Sequence, residues 1–140
     1  MKFNKAILIV FIVFLTAVIL QIGMAYVTFL QGKIYADELG EILISFIKIY
    51  SIHISILFTG SFFTHLENKE KKISSKILWV SLTLVCLWNA ILITSCFILT
   101  QVSPPASYKG VIDFQEKIAS ASSFLITGIL SYFFITKNQS

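Results

Sequence analysis

A chain of 140 residues that is 56% hydrophobic and 13% charged, with a mean hydropathy of +0.86, has too little charge to cover a soluble domain of its size. Its formal net charge of +4 rests on lysine alone, because all 11 basic residues are Lys. That composition excludes chemistry that depends on arginine, and two cysteines are too few for a disulfide-built scaffold.

The first apolar run covers about 6–30 and follows a basic start at Lys2 and Lys5. Gly23-Met24-Ala25 has the small-x-small form of a cleavage site. The apolar stretch from Ala6 to Ile22 nevertheless exceeds the ~7–15 residues of a signal-peptide core, so a retained transmembrane helix is expected. At helical spacing Ala17, Gln21 and Thr28 share one side of it. The connection "QGKIYADELGE" follows, with Gly32 and Gly40 expected to mark helix ends.

The second run, about 42–65, contains "FIKIYSIHISILF", an apolar stretch interrupted by Lys48 and His53. Ser45, Lys48, Ser51, Ser55 and Thr59 fall on one arc of a helix, and His53 falls on a neighbouring arc close to Tyr50. This helix therefore carries two polar faces. The segment "THLENKEKKISSK" comes next, a solvated charge run whose connection spans about 66–75. The third run, about 76–100, places Cys86, Asn89 and Cys96 on one side. Both prolines lie in "QVSPPASYKG" and stop that helix after Gln101. The fourth run, about 112–136, carries Glu116, Ser120, Ser123, Thr127 and Ser131 as a polar and small-residue stripe.

A bilayer span takes about 20 mainly apolar residues, and barrel strands show ~10-residue alternation instead. The expected fold is therefore all-α: one integral membrane domain over 1–140, an up-down-up-down antiparallel four-helix bundle joined by short connections. Lys2, Lys5, Lys69, Lys71, Lys72, Lys76 and Lys137 fall on one side of such a bundle, against Lys33, Lys109 and Lys117 on the other. The positive-inside rule then places both termini in the cytoplasm of a multi-pass inner-membrane protein.

Gln21, His53, Asn89, Ser123 and Thr127 come to similar depths near the bilayer centre, where lipid cannot satisfy them. They are expected to line helix–helix interfaces or a wet path. Asn89 and Thr127 are the expected partners of His53, which is either neutral and clamped or hydrated and able to titrate. Lys48 lies ~10 Å below the outer end of the apolar run, within reach of snorkelling or of Glu116 and Asp113. Two polar faces on one helix exceed what a monomeric bundle needs. That surplus points to a homo-oligomer, with a tetramer as one form, a water-lined path, or both.

Several chemistries lack their residues. The first run holds no carboxylate, so the buried acid of small multidrug transporters is missing and neutral Gln21 stands nearest that place. Cys86 and Cys96 do not form a C-x-x-C pair. Two histidines, one of them in a connection, do not make a metal site. Neither an enzyme nor a cofactor is expected. Direct nucleic-acid binding is not expected either, because Glu67 and Glu70 interrupt the lysines of the inner connection.

"DELG" (Asp37 to Gly40) leads into the second run and "IASAS" (Ile118 to Ser122) into the fourth. In these stretches, in length and in the plan of its connections, the chain resembles the RexB-type membrane proteins of phage-encoded exclusion systems. In plan it is similar to the membrane subunit of Kiwa defence systems. The likeness covers about 37–140, and the lysine-only inner connection departs from the arginine-rich RexB pattern. The resemblance implies anti-phage defence alongside a cytoplasmic DNA-binding partner, either as an ion channel that depolarises the cell or as a sensor and scaffold that does not conduct. A bacteriocin immunity protein is the alternative outside that class.

Overall fold

In hydrocarbon a backbone must satisfy its own polar groups, and each long apolar run does so as a helix. The computed structural model describes residues 3–66, 74–101 and 108–135. It has four helices: α1 (Phe3–Leu30), α2 (Ala36–Leu66), α3 (Ser75–Gln101) and α4 (Tyr108–Ile135). They form the expected antiparallel four-helix bundle. The lysines at 69, 71 and 72, both prolines, and the terminal Lys2 and Lys137 lie outside the described residues.

The helices extend past the apolar runs because their ends are polar and capped. α1 stops in a Schellman turn: Lys33 N–H donates to the Thr28 carbonyl at 3.2 Å and Gly32 N–H to Phe29 at 2.9 Å. Gly32 occupies the left-handed position that closes it, at φ +68°. α2 starts six residues before the apolar run. Glu38 Oε2 accepts the Tyr35 N–H at 2.7 Å, and Asp37 and Glu38 lie in the first turn, where carboxylates favour the helix dipole. Gly40 is therefore inside α2 and not at a helix end as its residue type suggested.

α1 packs against α2 and α3, and α4 packs against the same two. The order around the bundle is α1, α2, α4, α3, so α2 and α3 face each other across a diagonal although they are consecutive in sequence. Antiparallel contacts join α1 to α2 and α3 to α4. Parallel contacts join α1 to α3 and α2 to α4.

Among the described residues three helices are long and apolar enough to cross a membrane, over Lys5–Leu30, Ala36–Thr59 and Ser75–Ile98. α4 was expected as a fourth span. It is present as a helix, but Lys109, Asp113, Gln115, Glu116 and Lys117 crowd its first turns and lower the hydropathy of its described part. Large apolar side chains face outward on the spans, among them Ile12, Ile19, Ile47, Val80 and Leu87. Tyr26, Tyr35 and Trp79 stand exposed near helix ends, where amphipathic rings meet headgroups. The chain is a small multi-span helical membrane protein.

The two glycines flanking the first connection should respond oppositely to alanine. An added Cβ meets nothing within 4 Å at Gly32 or Gly40, so backbone conformation alone decides. Gly32→Ala should lower stability by about 1 kcal/mol, and Gly40→Ala should be neutral or stabilising by about 0.5–1 kcal/mol. Thermal unfolding in detergent micelles, followed by circular dichroism, measures both.

Candidate functional site

A chain of hydrogen bonds links three helices at the bundle centre. Gln21 of α1 donates through Nε2 to the Tyr50 hydroxyl of α2 at 2.5 Å. Tyr50 donates to Asn89 Oδ1 of α3 at 3.0 Å. Asn89 Nδ2 turns back to the Val85 carbonyl at 2.8 Å, and the Cys96 thiol reaches the Gln21 carbonyl at 3.7 Å. Exposures of 0% for Gln21, 1% for Tyr50 and 3% for Asn89 shield these groups from the lipid around the bundle.

Beside this chain lies a packed aromatic layer. His53 stacks on Phe14 at 5.8 Å between ring centroids and meets Trp88 edge-on at 5.0 Å. Tyr50 meets the same Trp88 at 5.5 Å. These rings bridge the diagonal between α2 and α3, which small side chains are too short to cross. Trp88 Nε1 donates to Ser122 Oγ of α4 at 2.7 Å, and Gln115 Nε2 of α4 donates to the Leu92 carbonyl at 2.9 Å. All four helices are thus tied together by hydrogen bonds.

The site residues named from sequence divide between this centre and the bundle exterior. Gln21, His53 and Asn89 converge at the centre. His53 is not paired with Asn89 or Thr127 as expected: Asn89 is taken by Tyr50, and His53 Nδ1 is buried without a partner, as are Gln21 Oε1 and Ser45 Oγ. His53 is 1% exposed and is held by ring packing against Phe14 and Trp88, not by the hydrogen bond to Asn89 or Thr127 expected of a clamped histidine. Ser123 and Thr127 are half-buried. α4 turns Gln115 and Ser122 to α3, so Glu116, Ser123 and Thr127, across its buried edge of Ala119, Ile126 and Leu130, border α2.

Lys48 points away from the core, together with Ser51, Ser55 and Thr59. Ser51 Oγ donates to the Lys48 carbonyl at 3.1 Å, and Lys48 makes no ion pair with Glu116 or Asp113. Of the expected arc only Ser45 turns inward. Cys86 was expected beside Asn89 and Cys96, but it is exposed whereas Cys96 is buried, because three residues of helix carry it past the buried edge.

The outward faces of the four helices differ in character. Within their spans α1 and α3 expose no charged side chain beyond the terminal Lys5 and Lys76. α2 exposes Lys48 and three hydroxyls, and α4 exposes Asp113, Lys117 and Ser120. Since α2 and α4 are neighbours, the charged side chains exposed within the described spans, Lys5 and Lys76 apart, lie on one side of the bundle, whereas α1 and α3 expose only hydroxyls, Thr16, Thr83 and Thr94, among their apolar side chains. At the rim Tyr108 Oη donates to Glu41 Oε2 at 3.4 Å, and the Lys109 ammonium lies 5.8 Å from the Tyr108 ring. Tyr108 first, and then Glu41, raise the Lys109 amine above its ordinary value.

Sequence reasoning passed over Tyr50 and Trp88 as the organising side chains. Their signal was a phenol and an indole N–H at mid-span, each of which needs a partner when buried. Among the described residues no group of three or more His, Cys, Asp or Glu could hold a metal ion. No known protein family, curated protein or solved structure matches the chain.

Two substitutions to phenylalanine separate the roles of the central rings. Tyr50→Phe strands Gln21 and Asn89 and should cost about 1–2 kcal/mol. His53→Phe keeps a ring against Phe14 and Trp88 and removes an unpaired nitrogen, so stability should change by less than about 1 kcal/mol. Unfolding in mixed micelles ranks the two variants.

Proposed function

We propose that the chain is the membrane subunit of an abortive-infection type phage-defence system: a homo-oligomer in the bacterial inner membrane that passes ions when a cytoplasmic, DNA-binding partner activates it. The observation that carries this reading is the outward polar face of α2. A lysine inside a span is disfavoured, by up to about 2.5–3.5 kcal/mol at the centre on insertion scales. Lys48, Ser51, Ser55 and Thr59 all lie on the face turned from the bundle's own core. Such groups are normally found against other protein or water, and further copies of this chain would supply both. The resemblance in "DELG" and "IASAS" supports the defence context. Within those stretches Glu38 caps α2 and Ser122 receives the Trp88 indole.

A membrane sensor and scaffold that does not conduct is favoured by a different observation. The rings of Phe14, Tyr50, His53 and Trp88 are buried together at the centre of one bundle, which disfavours a path along the axis of a single copy. The conducting reading therefore takes the path to run between copies.

Cysteine scanning decides between the two readings. In a background with Cys86→Ala and Cys96→Ala, Ser55→Cys should react with a charged, water-soluble thiol reagent in intact membranes. Leu87→Cys, on the apolar face of α3, should not. Equal protection at both positions would remove the path between copies and leave the scaffold.

The same background tests orientation. Both termini are placed in the cytoplasm by the lysine distribution. Gln31→Cys should then be labelled from the periplasm by an impermeant reagent, and Ser74→Cys only after the membrane is opened. Labelling of Ser74→Cys from outside would invert the topology.

A further inference from the structure

We propose that Lys48 makes the path between copies prefer small inorganic anions such as chloride. This rests on the conducting reading and adds the class of ion and the residue that selects it.

Depth comes from the contact between Glu41 and Tyr108. α2 and α4 run in the same direction, so Lys48, seven residues beyond Glu41, is level with Gln115, seven beyond Tyr108. Below Lys48 the outward face of α2 presents only hydroxyls, Ser51, Ser55 and Thr59, among isoleucines and Phe58. Lys48 is thus the one ionisable side chain on the described outward face of α2 below Glu41. Ser51 Oγ is turned to the Lys48 carbonyl and leaves the ammonium unengaged.

Symmetry decides what kind of contact this face can make. Copies related by rotation place the same residue around one axis. Where this face turns to the axis, a dry contact would press Lys48 against Lys48 in low dielectric, where like charges repel strongly. Water along the axis relieves that repulsion, and a ring of ammonium groups facing it then concentrates anions. Rings of Lys or Arg select anions in pores in this way. Glu41 and Asp113 stand exposed nearer the outer end and act at the mouth, where water and salt screen them. Glu116 is level with Lys48 on α4 and half-buried, without an ion pair to it. It is the group whose charge could offset the ring.

The experiment is a reversal-potential measurement across a potassium chloride gradient, with the full chain purified and reconstituted in planar bilayers, and with the cytoplasmic partner added where the gene neighbourhood supplies one. Wild type should reverse near the chloride potential, with chloride favoured severalfold over potassium. Lys48→Arg should keep that preference, Lys48→Ala should reduce it, and Lys48→Glu should move the reversal potential towards that of potassium. Each variant is first checked for wild-type assembly by native gel. Current that reverses at the same potential in wild type and Lys48→Glu would overturn this inference and leave conduction standing. So would a shift produced by Glu116→Gln and not by Lys48→Glu. No current from wild type, with Ser55→Cys protected from aqueous reagent, would overturn conduction and this inference together.

Discussion

The Gln21–Tyr50–Asn89 chain is the interaction on which the rest of the bundle depends. Between helices in lipid there is no hydrophobic gain to be had, since the tails are as apolar as leucine. What holds the helices is close packing and those hydrogen bonds for which hydrocarbon offers no substitute. Measured bonds of this kind contribute about 0.6–1.7 kcal/mol, less than intuition about buried polar groups suggests. Their greater effect is on register. The Tyr50 hydroxyl has one acceptor and one donor at fixed depth, on α3 and α1. A shift of either helix by one residue would break a bond that nothing nearby replaces.

The aromatic layer follows from the same geometry. Helices on a diagonal stand too far apart for backbones or small side chains to meet, and the space between them must be filled at crystal-like density. Phe14, His53 and Trp88 fill it at centroid separations of 5.0–5.9 Å, the range in which ring pairs are favourable. A filled centre and an outward lysine on the same helix then have opposite meanings for water. The part of α2 that looked most like a conducting element from its histidine is the dry part. Its other polar face, the one facing out, is where the proposed conducting path would place water.

The number and direction of the helices were legible in the sequence because apolar run length against bilayer thickness is a strong constraint. So was the division of α2 into two faces, since 100° per residue fixes which side chains travel together. Helix ends were less legible. Apolar runs report where lipid begins, whereas caps such as Glu38 on Tyr35 and the turn at Gly32 report where the helix begins, and these differ by several residues at α2 and α4. Partners were the least legible. Depth matching put His53 with Asn89, but depth says nothing about which helices are neighbours or about reach. Tyr50, one turn away and longer, takes Asn89. The resemblance to defence proteins rests on short stretches, and in the structure those residues perform capping and packing that many membrane bundles need.

The helix order carries the remaining functional weight. In a bundle where consecutive helices are neighbours throughout, α2 and α4 would stand opposite each other. The lysine and hydroxyl face of α2 and the charged face of α4 would then point to opposite sides, each alone in lipid. Here α2 and α3 take the diagonal instead. Eight residues separate Leu66 from Ser75, a reach of up to ~26 Å when extended, and diagonal partners at ordinary helix spacing stand only ~14 Å apart. The shorter connections, from Leu30 to Ala36 and from Gln101 to Tyr108, join neighbours. This order brings α2 and α4 side by side and gathers the exposed charged side chains Lys48, Asp113 and Lys117 on one side of the molecule. In the assembly proposed above, the side formed by α2 and α4 would meet other copies and the water between them, and the side formed by α1 and α3 would meet lipid.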